Sequence, residues 1–467
     1  MKIYILFLLI LLDTALFAQS QKGSILLKGG NVLTITKGNL EKTDVLIIDG
    51  IIKEIGTNLT APSGVQVLDV TGEYVMPGII DAHSHLALEA INEYTNPITP
   101  EVWTGDVLNP LDVNMYRALA GGVTISHAMH GSANAIGGQC VTIKHRYGTT
   151  NPKELIMEGA PRTIKFALGE NPTRVHGRDN NILPKTRMGV ESVIRRAFED
   201  GKAYQKKWDE YEKLKTAYEN AVKSKKSNNL TAPVPPKYDL RASTLADILA
   251  GKILIHCHSY RADEILMLMN ICKEYGIKKI CFQHANEAFK VAPELAAFGA
   301  TCSVFADWWA YKFEVYYSTA YNASILTKNG VITSINSDSE ELIRHLYHEA
   351  AKTQKYGGLT DEEALKLITI NPAIQLGIDH RVGSIEVGKD GDIAVFHNHP
   401  LSIYTLPEYT IVDGIIRFDM RKDADDQRIL VPADGAIEPT SIIHQTGNQT
   451  HQNCMQNVEG TWWMKEW

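Results

Sequence analysis

Short apolar runs alternate with amphipathic helical patterns through the middle of the chain, and this alternation predicts an α/β fold with a parallel sheet. Helical patterns separate most of the apolar runs. Eight units of this kind within roughly 300 residues predict a (β/α)8 TIM barrel, whose active site lies at the carboxyl ends of the strands. The predicted strands are 78–84, 122–127, 139–145, 162–168, 252–258, 278–284, 299–305 and 331–337.

Segments with a β-pattern flank this region on both sides. The dipeptide Asp49-Gly50 separates two apolar runs near the start of the chain, and the same β-pattern, with Asp413-Gly414, returns near the end. Asp-Gly between apolar runs is typical of a two-residue hairpin turn. We therefore predict a small composite β-sandwich built from residues 20–77 and 385–420, with the barrel inserted between them as residues 78–384.

The segment of about residues 190–250 is longer than an ordinary helix and its loop. They contain a charged helical stretch from Lys202 to Lys226 and a Pro-rich break at 233–236, so we predict a helical insertion in the barrel. Residues 421–467 form a polar tail, rich in Gln, Asn and His, whose role the pattern leaves open.

The first residues predict export. Lys2 precedes the apolar run 3–12 and a cleavage region of small residues, which are the features of a secretory signal peptide, here residues 1–19. The run is too short to span a bilayer comfortably, and no cysteine follows it to carry a lipid. We expect a periplasmic or secreted protein without a stable membrane anchor.

Charge argues against a nucleic-acid partner. The formal net charge is -7, and no basic face is evident along the chain. The six cysteines lack CxxC spacing, so the sequence requires neither a disulfide framework nor a cysteine-based metal site. A homo-oligomer is compatible with this composition, and the oligomeric state stays open.

Histidines occupy the ends of three predicted strands. His83 and His85 lie two positions apart at the end of the first strand, so their side chains point to the same face. His256 and His258 end the fifth strand in the same spacing, and His284 ends the sixth. Carboxyl ends of barrel strands meet at one face, so these imidazoles are candidates for a shared metal site.

Two further strands carry charged residues in apolar surroundings. Asp338 follows the eighth strand, and Lys165 lies inside the apolar fourth strand. A buried lysine is costly unless it is paired or modified. Nitrogen and oxygen ligands of this kind suit Zn²⁺, with Mn or Fe as alternatives.

The order His-x-His, Lys, His, His, Asp on successive predicted strands resembles the amidohydrolase superfamily of metal-dependent hydrolases, in particular its imidazolonepropionase-like and prolidase-like branch. The motifs that carry the resemblance are MPGIIDAHSHL, GVTISHAMHGSANAIGGQ, IKFALGENP and ITINPAIQLGIDHRVGSIEVGKDGDIAVF. They extend over about residues 24–420. The resemblance implies a hydrolase that cleaves the C–N bond of a small amide, peptide or cyclic amide, with a dipeptidase or carboxypeptidase included, and the predicted signal peptide makes it a secreted one.

The resemblance also implies roles for single residues. His83 and His85 would bind the more buried metal ion, and His256 and His284 the second. A carboxylated Lys165 would bridge the two ions. Asp338 would contact the metal and act as general acid and base while a metal-activated hydroxide attacks the amide carbonyl.

Several alternatives remain open on the residues alone. Glu170, just past the fourth strand, could replace Lys165 as the bridge, and the site could hold one metal instead of two. Lys144 on the third strand is a weaker rival of Lys165. His258 points the same way as His256 and competes for its role as ligand.

A mononuclear imidazolonepropionase-type or deaminase-type hydrolase is the alternative function on the same fold. The corresponding relatives carry a Glu shortly after the fifth-strand His, whereas Ser259 stands at the third position after His256. Candidates for contact with the substrate are His130, His258, Tyr260, Arg261 and Trp308. Arg261 could hold a carboxylate bidentately or pair with a neighbouring acid.

Overall fold

The computed structural model describes residues 21–224, 230–308 and 312–422. The predicted signal peptide, residues 1–19, and all but the first two residues of the predicted tail, residues 421–467, lie outside the described residues. Across those described ranges, no helix combines the length and the apolar character that crossing a bilayer requires.

The amino-terminal segment contributes strands β1 (Ile25–Leu33), β2 (Asn39–Ile48), β3 (Ile51–Gly56), β4 (Gln66–Asp69) and β5 (Tyr74–Pro77). β2 and β3 pair antiparallel across the two-residue turn Asp49-Gly50, where φ is 49° and 74°. A turn with positive φ at both residues matches the twist of the paired strands. The hairpin predicted from Asp-Gly is therefore confirmed.

The next strands form a second sheet, which is nearly closed into a barrel. They follow one another around it in chain order. They are β6 (Ile79–Ser84), β7 (Val123–Ala128), β8 (Ile136–Lys144), β9 (Thr163–Ala167), β10 (Leu254–Ser259), β11 (Ile280–His284), β12 (Thr301–Val304) and β13 (Thr333–Ile335). Each of the apolar runs predicted as a barrel strand is thus a strand.

Hydrogen bonds at Asp81 bring the first and last barrel strands together. The Asp81 carboxylate accepts from the Ser337 backbone at 3.2 Å and from the Ser337 hydroxyl at 2.5 Å. The Asp338 N–H donates to the His83 carbonyl at 3.1 Å. These contacts place the carboxyl ends of β6 and β13 side by side, where the predicted site lies.

One strand departs from the predicted parallel arrangement. β8 pairs antiparallel with both β7 and β9, whereas the other neighbouring barrel strands pair in parallel. The connection 129–135 contains no helix, so β7 and β8 form a hairpin. The prediction of a regular (β/α)8 barrel is wrong at its third strand, and the fold is a mixed α/β barrel.

After the barrel the chain returns to the first sheet as β14 (Ile393–Phe396), β15 (Pro407–Val412) and β16 (Ile415–Asp419). β14 pairs with β5, and strands from both ends of the chain form one sheet in the order β16-β15-β14-β5-β1-β2-β3, with β4 beside β1. The composite origin of this sheet agrees with the prediction. Packing of two sheets into a sandwich stays a prediction.

The described residues also form the helices α1 (Val113–Leu119), α2 (Glu170–Pro172), α3 (Arg187–Lys223), α4 (Leu240–Leu249), α5 (Ala262–Tyr275), α6 (Ala292–Phe298), α7 (Asn322–Lys328), α8 (Leu346–Gly357), α9 (Asp361–Lys366) and α10 (Ile370–Leu376). The charged helix predicted from Lys202 begins earlier, at Arg187. The first turns of α3 pack Val190, Ile194 and Phe198 into the core around the barrel. The amino-terminal part of the predicted insertion is therefore a helix of the barrel layer.

Candidate metal centre

Three side chains from the joined ends of β6 and β13 form the centre of the site. Ligand atoms of His83, His85 and Asp338 lie within 4.8 Å of one another, and all three residues are buried. Oδ1 of Asp338 is 3.2 Å from Nε2 of His85 and 3.6 Å from Nε2 of His83. Two imidazoles and a carboxylate that converge in a buried place are a typical ligand set for a divalent metal.

The hydrogen bonding of His85 indicates what fits between these atoms. Its Nδ1 lies 2.8 Å from the Met129 carbonyl, and a carbonyl only accepts, so Nδ1 carries a proton. When Nδ1 carries the only proton of the ring, Nε2 presents a lone pair to the Asp338 carboxylate, which also only accepts. A proton or a metal cation between them satisfies both groups, and a metal would displace the proton. The residues present therefore fit a divalent ion.

Two more imidazoles border this group. The ring of His284 lies 4.5 Å from that of His83 and 4.7 Å from that of His258, and its Nε2 is 3.7 Å from Oδ2 of Asp338. Within the described part of the chain, neither ring nitrogen of His258 or His284 has a hydrogen-bond partner. Buried polar atoms normally have one, so these nitrogens fit a bound ion or ligand.

The backbone takes up an uncommon conformation at two of these residues. His284 has φ 65° and Asp338 has φ 44°, a region that residues other than glycine seldom adopt. Alternation along β11 would direct only one of Gln283 and His284 into the barrel. Both reach His83, because the positive φ of His284 breaks the alternation. Strain of this kind is concentrated at functional sites.

Lys165 lies in the same group of side chains. It is completely buried, and its Nζ is 3.1 Å from Nε2 of His83. Lys144, the rival lysine, has its Nζ within 2.9 Å of three aspartate carboxylates from the carboxyl-terminal segment. The geometry thus brings Lys165, and not Lys144, to the histidines.

Glu170, the alternative bridge, is held differently. It follows Gly169, whose φ is 76°, and its backbone N–H donates to the Glu314 carboxylate at 3.1 Å. Its own carboxylate is not part of the group formed by His83, His85 and Asp338. Bridging by Lys165 or by Glu170 stays a prediction, and the contact with His83 favours Lys165.

His256 contacts a residue that sequence reasoning missed. Gln283 extends its amide Nε2 to within 2.9 Å of Nδ1 of His256, and its Oε1 lies 3.1 Å from Nδ1 of His83. The ring of His256 also lies edge-on to that of His127, with 4.6 Å between ring centres. The only signal for Gln283 in the sequence is a polar residue in the apolar run ICFQH, directly before His284.

Burial favours the neutral form of four imidazoles of the site, those of His83, His256, His258 and His284. It lowers the pKa of His83 and His258 well below the ordinary value, assisted by Lys165 at His83 and by His284 at His258. Burial also lowers the pKa of His256 and of His284 to about 3. The neutral ring is the form that binds a metal ion, so no proton has to be removed from these rings at neutral pH.

Two of the predicted substrate-facing residues lie in an aromatic layer beside the site. Tyr260 is buried with its ring 5.7 Å from that of His284, and Nζ of Lys312 lies 4.2 Å from the centre of the tyrosine ring. Trp308 stacks on Phe305 at 4.3 Å, and Phe305 stacks on His284 at 4.7 Å. Together with His258, whose ring lies 4.6 Å from that of Tyr260, these rings form an aromatic layer beside the histidines, and their contact with a substrate stays a prediction.

The other two candidates have structural partners. Nδ1 of His130 lies 2.9 Å from the Gly131 carbonyl, and its Nε2 accepts from the Glu93 N–H at 2.9 Å. Arg261 donates two hydrogen bonds to Asp263, at 3.0 and 3.1 Å. Both side chains are thus engaged by protein groups outside the metal group, and their contact with substrate stays a prediction.

Known proteins resemble this chain in sequence and in fold. The amidohydrolase family model matches residues 314–423. A solved amidohydrolase structure from Thermotoga maritima is 33% identical with a TM-score of 0.74, and the match covers 85% of this chain and 100% of that one.

Two further relatives differ in how much of their length is matched. Amidohydrolase tasK of Hapsidospora irregularis is 31% identical over 402 residues, and the match covers 80% of this chain but 40% of that protein. A 5-methylthioadenosine/S-adenosylhomocysteine deaminase of Syntrophomonas wolfei is 21% identical over 84% of this chain and 89% of its own length.

The resemblance first seen in the strand-end motifs thus extends over the whole of a solved relative at 33% identity, and the same strand ends converge on the buried histidine and aspartate group. The chain belongs to the amidohydrolase family.

Proposed function

We propose that the chain is a metal-dependent hydrolase that cleaves the C–N bond of a small amide, peptide or cyclic amide. The observation that carries this proposal is the convergence of His83, His85 and Asp338, two imidazoles and a carboxylate, in a buried place. The export of the protein through residues 1–19 to the periplasm or the medium is part of the same proposal.

The residues have distinct tasks in this proposal. His83, His85 and Asp338 would hold a divalent ion, Zn²⁺ first with Mn or Fe as alternatives, and a carboxylated Lys165 would extend the site to a second. Such an ion supplies Lewis acidity, which acidifies a water molecule and polarises a carbonyl group. The Asp338 carboxylate accepts the proton that this water loses and passes it to the leaving nitrogen. Tyr260 and Trp308 bound the substrate on one side.

Metal content and substrate class test the proposal together. Protein purified without chelator should contain about one or two divalent ions per chain. In a panel of N-acyl amino acids, dipeptides and lactams, we expect hydrolysis that chelation abolishes and that added Zn²⁺ restores. Metal-loaded protein that hydrolyses none of the three classes would contradict the proposal.

Deamination is the second candidate, because a deaminase of Syntrophomonas wolfei is among the relatives. Release of ammonia from aminopurines without amide hydrolysis would favour it. A deaminase would need an acid near the substrate ring. Ser259 stands at the relevant position, and the Glu264 carboxylate is 3.2 Å from the Arg187 guanidinium. Amide hydrolysis is therefore the better supported of the two.

A further inference from the structure

We propose that Lys312 binds a carboxylate of the substrate, so that the enzyme acts on amides whose leaving amine carries an acid group, as in free dipeptides and N-acyl amino acids. Neutral lactams and peptides with a blocked carboxyl end are then poor substrates. The inference rests on the proposed function and deepens it, because it names the substrate class of the same site. It assigns to Lys312 the contact that the sequence left open for Arg261.

The ammonium group of Lys312 lies one aromatic ring away from the histidines of the metal centre. Its Nζ is 4.2 Å from the centre of the Tyr260 ring, and that ring is 4.6 Å from the ring of His258 and 5.7 Å from that of His284. In a peptide or an N-acyl amino acid, the carboxylate is attached to the carbon next to the cleaved nitrogen. A substrate whose carbonyl group reaches the metal centre therefore carries its carboxylate a comparable distance away.

Contacts with two other loops of the barrel mouth hold Lys312 in place. Its Nζ donates to Oδ1 of Asn171 at 3.1 Å, and the amide of Asn171 donates to the Ser132 hydroxyl at 3.2 Å. The lysine follows β12, whereas its two partners follow β9 and β7. The Lys312 side chain is only 10% exposed. A lysine that is already ordered loses less conformational freedom on binding an anion than a mobile surface lysine does.

A buried carboxylate fixes the same loop without forming a hydrogen bond to Lys312. Glu314 accepts from Nη2 of Arg187 at 2.6 Å and from the backbone N–H of Glu170 at 3.1 Å. Gly169 permits this approach, since a Cβ at its position would collide with the Glu314 carboxylate. Oε2 of Glu314 is 3.7 Å from Nζ of Lys312, beyond the range of a hydrogen bond. The carboxylate is thus engaged mainly by Arg187 and the backbone.

The charges around Lys312 favour an anion. Arg187 also lies 3.2 Å from the carboxylate of Glu264. Burial raises the pKa of Glu264 to about 7, although Arg187 opposes this effect. Near neutral pH, Lys312 and Arg187 therefore face the Glu314 carboxylate and a Glu264 that is partly protonated, which leaves a net positive charge. At a site with little water, an anion gains more from such a charge than it would in solution.

Arg261 is less suited to this task. It donates hydrogen bonds to Asp263 at 3.0 and 3.1 Å, and its side chain is 45% exposed. An arginine that is paired with an acid in contact with water gains little from a second carboxylate.

Two substrates that differ only in charge test the inference. They are a dipeptide and the same dipeptide with its carboxyl end converted to the amide, both assayed for cleavage of the bond between the two residues. For the zinc-loaded wild type, we expect kcat/KM to be about 10- to 100-fold lower for the dipeptide amide, the range of a hydrogen bond between charged groups. Lys312→Met should lower kcat/KM by a similar factor for the free dipeptide, chiefly through KM, and leave the dipeptide amide almost unchanged.

Two further variants separate this role from a merely structural one. Lys312→Arg keeps the positive charge and should retain the preference for the free dipeptide. Lys290→Met removes a lysine whose Nζ lies 4.0 Å from the centre of another aromatic ring, that of Tyr317, and should behave as the wild type on both substrates.

The outcomes distinguish this inference from the proposed function. Equal kcat/KM of the wild type on the dipeptide and its amide, or equal losses on both in Lys312→Met, would overturn the role of Lys312. Hydrolysis of neutral lactams alone would also overturn it, and the proposed function would stand. Metal-loaded wild type that hydrolyses no amide, charged or neutral, would instead overturn the proposed function. The comparison of the two substrates on the wild type decides the inference even when Lys312→Met does not fold.

Discussion

The substitution Asp338→Asn is expected to reduce amide hydrolysis by about 100- to 10,000-fold, the range that a general acid–base group contributes. The amide has the size of the carboxylate but cannot take up the proton. The Asp338 carboxylate lies among the histidines of the site, since its Oδ1 is 3.2 Å from Nε2 of His85 and its Oδ2 is 3.7 Å from Nε2 of His284. The measurement is kcat at saturating Zn²⁺, with the metal content determined on the same sample.

A matched variant separates this role from general effects of losing a carboxylate. Asp247→Asn removes a charge that pairs with Arg162 and Lys252 at the surface, and we expect it to retain wild-type kcat. Both variants should melt close to the wild type. Full activity of Asp338→Asn with wild-type metal affinity would remove the residue from proton transfer, whereas full kcat at saturating Zn²⁺ with weakened Zn²⁺ binding would assign it to metal binding alone.

The substitution Lys144→Met is expected to lower the free energy of unfolding by about 3–5 kcal/mol, the cost of breaking a buried ion pair from one side. Lys144 is completely buried at the end of β8. Its Nζ lies 2.7, 2.9 and 2.6 Å from the carboxylates of Asp390, Asp392 and Asp413. Removing the cation leaves the buried Asp392 carboxylate without the ammonium group beside it, whereas Asp413 keeps Arg146 and Asp390 keeps Arg381.

The pH dependence gives this prediction a second readout. Burial raises the pKa of Asp392 to about 6, against the opposing effect of Lys144. Without Lys144 that pKa rises further, and a carboxyl whose folded-state pKa exceeds its unfolded value destabilises the fold as pH rises through it. The difference between wild type and variant should therefore be larger at pH 8 than at pH 5, as measured by denaturant unfolding.

The control is an ion pair between a lysine and a glutamate at the surface. Lys366 pairs with Glu362 on α9, where both side chains are partly exposed, so Lys366→Met should change the stability by less than about 1 kcal/mol. Adding Asp392→Asn to Lys144→Met should recover part of the loss, because the two sites are in contact. A Lys144→Met protein as stable as the wild type would refute the importance of this ionic cluster.

Much of the architecture could be predicted because it depends on neighbours along the chain. Apolar runs locate the barrel strands, since any buried strand needs them. The Asp-Gly pairs locate the two hairpin turns, since Asp and Gly tolerate the positive φ of 49° and 74° at Asp49-Gly50. Alternation also places His83 and His85 on one face of β6, and the structure has both beside Asp338.

Other features could not be predicted, because the local pattern is the same for either outcome. The apolar run of β8 has the same pattern whether the strand lies parallel or antiparallel to its neighbours. Only the hairpin with β7 makes it antiparallel. Lys144 and Lys165 both lie in apolar strands, yet one meets three aspartates and the other meets His83.

The sequence by itself determined the barrel strands, the composite origin of the terminal sheet, and the histidines and aspartate at the strand ends, because each follows from the periodicity or turn chemistry of a few consecutive residues. Only the tertiary structure decided the direction of β8 and the partners of each lysine, and placed Gln283 between two imidazoles and His284 beside it. Those outcomes depend on contacts between distant residues, such as those of Gln283 with His83 and His256. They also depend on the positive φ of His284. Distant contacts and a single backbone angle leave no repeating pattern in the sequence.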